Sequence, residues 1–480
     1  MKQKNMPHKV AKTSAVKPQQ VIQDQFSWRV FAFKTLFMFA IVVVTVAFTD
    51  YKGYFTSDQS NNHTRRKWNG FYKFTKNKQI DVLVVGNSHV FTGIDPFVLS
   101  VATSSNCFLL GNAGAGIADA YFTLGEALQK LKPKVVVVET FSIGNSSKGD
   151  GIMSGIQSFE AHNNTLYKLR MMPELFYSDD WIRAWSTTIR NHSFLLTNKA
   201  QIEYNVKNPT PPTSNRLELG RFARWDNGLD DSTLHKYKTL GAAIDGTQYV
   251  QSEHSKKYVR KIVELCESKG VPVLFFTVPM YSEHIAHYDV WKATLQNELQ
   301  QYSHTQWYDL QASYDSERYT KDAFENTHEA NQHLTNSGMI ITAYKLADYL
   351  CRNYSLPNRS EEPLWLADFK DQPHFVFNQD LLNGTAGYTS IVKNKQVGKF
   401  LVKELLVQES NDYNRVIIKV ADTEELTALI TPVFQIQFQN QIISTPIQMY
   451  SPNDVFPPHH KVYITNLRRD MKILGVNDIQ

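Results

Sequence analysis

Residues 81–90, DVLVVGNSHV, run four apolar side chains into Gly86 and set Ser88 and His89 just beyond it. The segment 82–85 reads as a strand buried on both faces. Gly86 lets the backbone turn sharply at the strand's carboxyl end. Open α/β sheets bind ligands at that edge, so Ser88 stands where such a fold places a nucleophile. Asn87 or Ser88 would equally cap a following helix, and taken alone the stretch favours the cap. His89 adjoins Ser88 in sequence, which does not aim its ring at the hydroxyl; it reads as a wall of the site. Two more stretches carry polar chemistry. GNAGAG, residues 111–116, follows a second apolar run, and its glycines let a backbone N–H approach a substrate carbonyl. The G-x-G-x-x-G spacing of a dinucleotide site is absent. ENTHEANQHLTNSG, residues 325–338, holds His328, His333, Glu325 and Glu329 ahead of a closing helix.

The elements that must position these residues alternate. Strands are expected at 82–85, 107–110, 134–139, 271–278 and 306–310, and helices at 118–131, 253–269, 290–301 and 339–350. Gly270 fits a helix C′ position. This alternation implies a parallel sheet with helices on both faces. Between 144 and 247 the rhythm stops; the stretch reads as an insertion at the carboxyl edge of the third strand, either a substrate wall or a packing elaboration. Beyond residue 355 prolines punctuate a linker. Strand-like runs follow at 375–378, 415–420, 430–438 and 462–465, with no helix of length. The fold class expected is α/β: a three-layer parallel sheet over 81–355 carrying the insertion, and an all-β sandwich or jelly-roll module over 361–480. Trp365 and the module's other aromatics suit stacking on sugars or filling a core.

The 480 residues allow two or three domains. With 20% charged and 42% hydrophobic residues the mix is that of a globular protein. The net charge of +5 owes much to Lys2, Lys4, Lys9, Lys12 and Lys17, so nucleic-acid binding is not expected. Residues 30–49 form the one membrane candidate. About 20 residues at 1.5 Å rise cross a hydrocarbon core, Lys34 can snorkel, and Trp28 and Tyr51 bracket the run as interface anchors. The expectation is a cytoplasmic tail at 1–28, an anchor at 29–49 with its N-terminus inside, and a polar, basic linker at 50–80. Everything past Asp50 is then extracytoplasmic, at the periplasmic face or cell surface. Cys107, Cys266 and Cys351 show no metal spacing and read as buried small hydrophobes. No metal or cofactor is expected.

On these motifs the α/β part resembles the SGNH (GDSL-type) hydrolase superfamily, and its membrane-anchored cell-envelope branch in particular. Gly86-Asn87-Ser88 matches the family's strand-end pattern, and the trailing Gly93-Ile94-Asp95-Pro96 is similar to that branch. The resemblance implies Ser88 as nucleophile and an oxyanion-hole N–H from Gly114 or Gly116. The family's third block supplies an Asn; Asn145 could serve although it lies later than the pattern, and Asn112 is another polar donor. His333-Leu334-Thr335-Asn336-Ser337-Gly338 matches the family's histidine block, which makes His333 the favoured general base. Position 330 is Ala where the family has Asp, so Glu325 or Glu329 must orient the ring. Alternatively Glu325-Asn326-Thr327-His328 is itself an acid-x-x-His, with His328 as base. The resemblance further implies an O-acetyltransferase or acyl esterase acting on an envelope polysaccharide, with a membrane-bound O-acyltransferase as a partner. A non-catalytic scaffold or glycan-binding protein on the same fold is the alternative.

Overall fold

The computed structural model describes residues 27–56, 63–144, 148, 152–208, 218–221, 232, 244–249, 251–282, 285–313, 319, 321–325, 333–370, 387–397, 400–409, 413–421, 429–430, 432–438, 440–447, 449–450, 462–468 and 470–479. Five strands make one parallel sheet: β1 (Val82–Gly86), β2 (Cys107–Gly111), β3 (Val135–Glu139), β4 (Val273–Thr277) and β5 (Thr305–Asp309), in the order β2-β1-β3-β4-β5. β1 pairs with both neighbours in register, Val82 with Cys107 and with Val135. Strand alternation divides the sheet's side chains between two cores. Leu83, Val85, Val136, Val138 and Phe275 face one layer, with Trp68, Phe71, Tyr258 and Trp291. Val82, Val84, Val135, Val137 and Phe276 face the other, with Val98, Met339 and Ile341. β1 is thus an interior strand covered on both sides, and its carboxyl end is rigidly placed.

The helix Trp28–Lys52 begins at Ser27 and ends at Gly53 in the left-handed region (φ 68°). It is long and apolar enough to cross a membrane, and none of its residues is buried. The expected linker over 50–80 contributes to the core. The helix His63–Phe74 buries Trp68, Phe71 and Phe74 against the sheet, while Arg66 stays exposed on its outer side. Within the insertion, Ile152–Ala161 packs under this helix, and Thr165–Leu175 packs on Ile152–Ala161 and on the helix Ile117–Ala127. A chain of short helices, Trp181–Trp185, Thr187–Asn191, Phe194–Thr197 and Lys199–Lys207, lies beside the end of the apolar helix.

After the closing helix Asn336–Asn353, Arg359 forks onto Asp81 at the head of β1 (2.6 and 2.8 Å). A short helix, Pro363–Phe369, follows where none was expected. Its Trp365 and Phe369 are buried in the α/β core, which removes Trp365 from any sugar-stacking surface. The C-terminal part is antiparallel and sandwich-like, a six-stranded sheet facing a three-stranded one. Val402, Leu405, Val416 and Ile418 meet Phe434, Ile436 and Ile473 between the sheets. The opposite side of the larger sheet sends Leu406, Ile417 and Ile464 into the layer of the closing helix. The strand expected at 375–378 lies outside the described residues. Cys107 and Cys266 are buried as free thiols, whereas Cys351, on the closing helix, is exposed.

Candidate active site

Gly86 takes φ 150°, and a Cβ there would stand 2.8 Å from Glu139 Cβ and 2.9 Å from Val90 Cγ2. Only glycine suits both the backbone and the space. The turn it allows starts the helix Ser88–Phe91, capped by Asn87, whose Oδ1 accepts the His89 N–H at 2.9 Å. The capping role therefore belongs to Asn87, and the Ser88 hydroxyl remains available. Thr92 Oγ1 closes the turn by donating to Ser88 O at 2.7 Å.

His333 arrives from far downstream on a short pairing that leads into the closing helix. Phe324 bridges Leu334, Glu325 N donates to His333 O (2.8 Å) and Thr335 N to Ala323 O (3.0 Å). Leu334 N donates to Thr92 O at 3.2 Å, which fixes the segment to the end of the Ser88 helix. Thr335 caps the closing helix through Gly338 N (3.3 Å). His333 Nε2 lies 3.0 Å from Ser88 Oγ. On the other side of the ring, Glu325 Oε2 stands 3.8 Å from Nδ1, within ion-pair range and longer than a hydrogen bond. Ser88 and Glu325 are buried, and the His333 side chain is 10% exposed. Serine, imidazole and carboxylate thus stand in line, the arrangement in which an imidazole can take a hydroxyl proton while a carboxylate steadies it.

His89 stacks on Phe141 (centroids 4.3 Å) and meets His333 edge-on (5.6 Å). Burial lowers its pKa to about 3, so the ring is neutral at all ordinary pH values and does not compete as a base. Its Nε2 has no hydrogen-bond partner among the described residues. It stands beside the Ser88–His333 pair. At the end of β3, beside the tip of β1, burial pushes the Glu139 carboxyl up to about 8, while its Oε1 accepts Phe141 N–H at 2.8 Å.

The glycine turn sits after β2. Gly114 is left-handed (φ 64°), and Gly116 caps the helix Ile117–Ala127. Asn112, weighed as a polar donor for substrate, is committed elsewhere. Its Nδ2 donates to Ser154 O (2.8 Å) and Asp119 Oδ2 (3.1 Å), and its Oδ1 accepts from Thr64 Oγ1 (2.7 Å). Lys67, one turn beyond Thr64, donates to Gly111 O and lies 3.7 Å from the centre of the Phe91 ring. Burial drives the Lys67 ammonium well below its usual pKa. Sequence reading missed these supports; the i, i+3 spacing of Trp68, Phe71 and Phe74 was the available signal that this basic stretch is a packed helix. Arg221 joins the two motif blocks, pairing with Asp95 (3.1 Å) and Asn336 Oδ1 (3.0 Å). Asn145, His328 and Glu329 lie outside the described residues. Among the described residues no group of His, Cys, Asp or Glu is placed to hold a metal ion.

Taken together, fold and site define an α/β protein with a largely buried Ser-His contact at the tip of a parallel strand, an antiparallel sandwich-like part and, among the described residues, one long apolar N-terminal helix. No family model matches the chain, and no curated protein matches it. Among solved structures, beta-glucosidase 3B from Thermotoga neapolitana in complex with alpha-D-glucose aligns at 9% identity and a TM-score of 0.14, over 88% of this chain and 80% of that one. A likeness at that level carries no argument about fold or activity.

Proposed function

We propose that this chain is a serine-dependent acyl-transfer enzyme of the SGNH type. It is an O-acetyltransferase or acyl esterase, held by its N-terminal helix with the globular part outside the cytoplasm, and acts on an envelope polysaccharide. The observation that supports the reading best is the 3.0 Å contact between His333 Nε2 and Ser88 Oγ, made by residues 245 positions apart. In the reading, Ser88 Oγ attacks an acyl carbonyl and passes its proton to His333 Nε2. The carbonyl electrons move onto oxygen, where backbone N–H groups of Ser88 and the Gly114 turn stabilise the oxyanion. Collapse expels the alcohol, which takes the proton from His333 and leaves acyl-Ser88. A water or a sugar hydroxyl then repeats the sequence in reverse. Glu325 steadies the imidazolium across 3.8 Å. An enzyme outside the cytoplasm has no acetyl-CoA, so transfer to sugars requires a membrane-bound O-acyltransferase to deliver acyl groups.

The test is acyl release from 4-nitrophenyl acetate and from acetylated envelope polysaccharide by the detergent-solubilised full chain. Ser88→Ala and His333→Ala should each lower kcat about 10⁴-fold or more with the fold intact. No acyl release by the wild type, with full biological activity in Ser88→Ala, would instead favour the non-catalytic scaffold; unchanged acyl release in Ser88→Ala would remove Ser88 as the nucleophile.

A further inference from the structure

We propose that the helical segment 181–207 lies on the membrane surface as a second contact beside the N-terminal helix. The inference rests on reading Trp28–Lys52 as a membrane span. With residues 30–49 across the hydrocarbon, Asp50 sits at the interface. There the segment is fastened to the emerging chain at several points. Asp50 Oδ1 accepts from Thr187 Oγ1 (2.8 Å), Thr188 N (2.7 Å) and Thr188 Oγ1 (2.6 Å), holding the first turn of the helix Thr187–Asn191, whose N-cap is Ser186. Thr49 Oγ1 lies 2.8 Å from Thr188 Oγ1. Asn191 Nδ2 donates to Phe55 O (2.8 Å), and Asn205 Nδ2 to Tyr54 O (3.0 Å) and Thr56 O (2.6 Å). The segment is therefore held at the height of the last turn of the span, and its exposed residues include a set of large apolar and aromatic side chains among polar and charged ones such as His192 and Glu203. Ile182 is 59% exposed, Trp185 49%, Leu195 53% and Leu196 88%, joined by Trp181 and Tyr204.

Scattered exposed apolar residues need no explanation. Seven within one segment, Val206 included, bonded to Asp50 in the last turn of an apolar helix, are different. Trp and Tyr favour the headgroup level, where the ring is shielded and its polar edge wetted. Short helices lying in that plane bury apolar side chains in the acyl boundary. Arg183 stays exposed with its guanidinium on Asp180, and Lys199 and Lys207 are exposed at the ends of the last helix, as surface-lying helices require. Continuity with the span selects a bilayer rather than a protein as the occupant.

The experiment uses the full chain, alone, in lipid nanodiscs, with Cys351→Ser so that the buried Cys107 and Cys266 are the only native thiols. A nitroxide is placed singly at Leu196→Cys, at Val44→Cys on the span and at Lys269→Cys on the globular part. Collisions with oxygen and with a water-soluble nickel chelate are measured. The expected result is an oxygen-to-nickel ratio at position 196 severalfold above that at 269 and on the side of that at 44. A lipid-like ratio at 44 with a water-like ratio at 196 overturns this inference and leaves the anchor standing. Shielding of 196 from both reagents overturns it in favour of a second copy of the chain. A water-like ratio at 44 overturns the anchor itself, and the inference falls with it.

Discussion

Replacing Glu139 by glutamine probes how the end of β3, packed against the Gly86 turn before Ser88, is held. Glu139 is fully buried, and a Cβ at Gly86 would nearly touch it. Burial raises its pKa from 4.5 to about 8. Between those two values the folded chain keeps a proton that the unfolded chain has lost. The group's contribution to stability is therefore complete below the unfolded pKa, falls as pH rises through the window, and levels off above the folded pKa. At about 1.4 kcal/mol per pH unit, going from pH 5 to pH 8 removes about 4 kcal/mol. Glutamine cannot ionise, and its carbonyl oxygen still accepts the Phe141 N–H. The wild type should therefore lose about 4 kcal/mol relative to Glu139→Gln across that interval. Urea unfolding of the detergent-solubilised full chains, followed by tryptophan fluorescence at pH 5 and pH 8, reads the difference. An equal gap between the two proteins at both pH values would refute the reasoning.

Other consequences are more local. Gly86→Ala meets Glu139 and Val90 at under 3 Å and strains φ 150°, which should cost about 2–5 kcal/mol and abolish acyl release; a thermal melt beside the assay checks both. Thr64→Val removes the buried bond to Asn112 and should lower stability by about 1–3 kcal/mol, with kcat falling more than KM rises if the glycine turn binds the oxyanion. Arg359→Ala leaves the Asp81 carboxylate buried without its fork, a loss of about 3–5 kcal/mol readable as a lower unfolding midpoint.

Four of the five sheet strands were legible because each is a short apolar run, and a strand covered on both faces shows no alternation to confuse with helix; the edge strand Thr305–Asp309 is polar and only partly buried. Ser88 and the 325–338 block stood out because a serine after a strand-end glycine and imidazoles before a closing helix are unusual pairings of residue type and place. The helix His63–Phe74 was hidden by Arg65, Arg66, Lys67 and Lys73, whose charges mask three buried aromatics; tertiary packing, not local polarity, decides its place. Trp365 was misassigned because a tryptophan past a proline-rich linker gives no sign of which domain it fills. The choice between Glu325 and the other candidate acid is a matter of three-dimensional approach, and no spacing rule contains it. Lys67, Arg221 and Glu139 are visible only once distant segments are brought together, since each acts through a partner remote in sequence.

The most direct measurement is mass-spectrometric mapping of a fluorophosphonate adduct on the full chain. The account predicts one adduct, on the peptide bearing Ser88, abolished by Ser88→Ala and formed at least about 10³-fold more slowly in His333→Ala. Adduct formation at an unchanged rate in His333→Ala, or on another serine in Ser88→Ala, would contradict it.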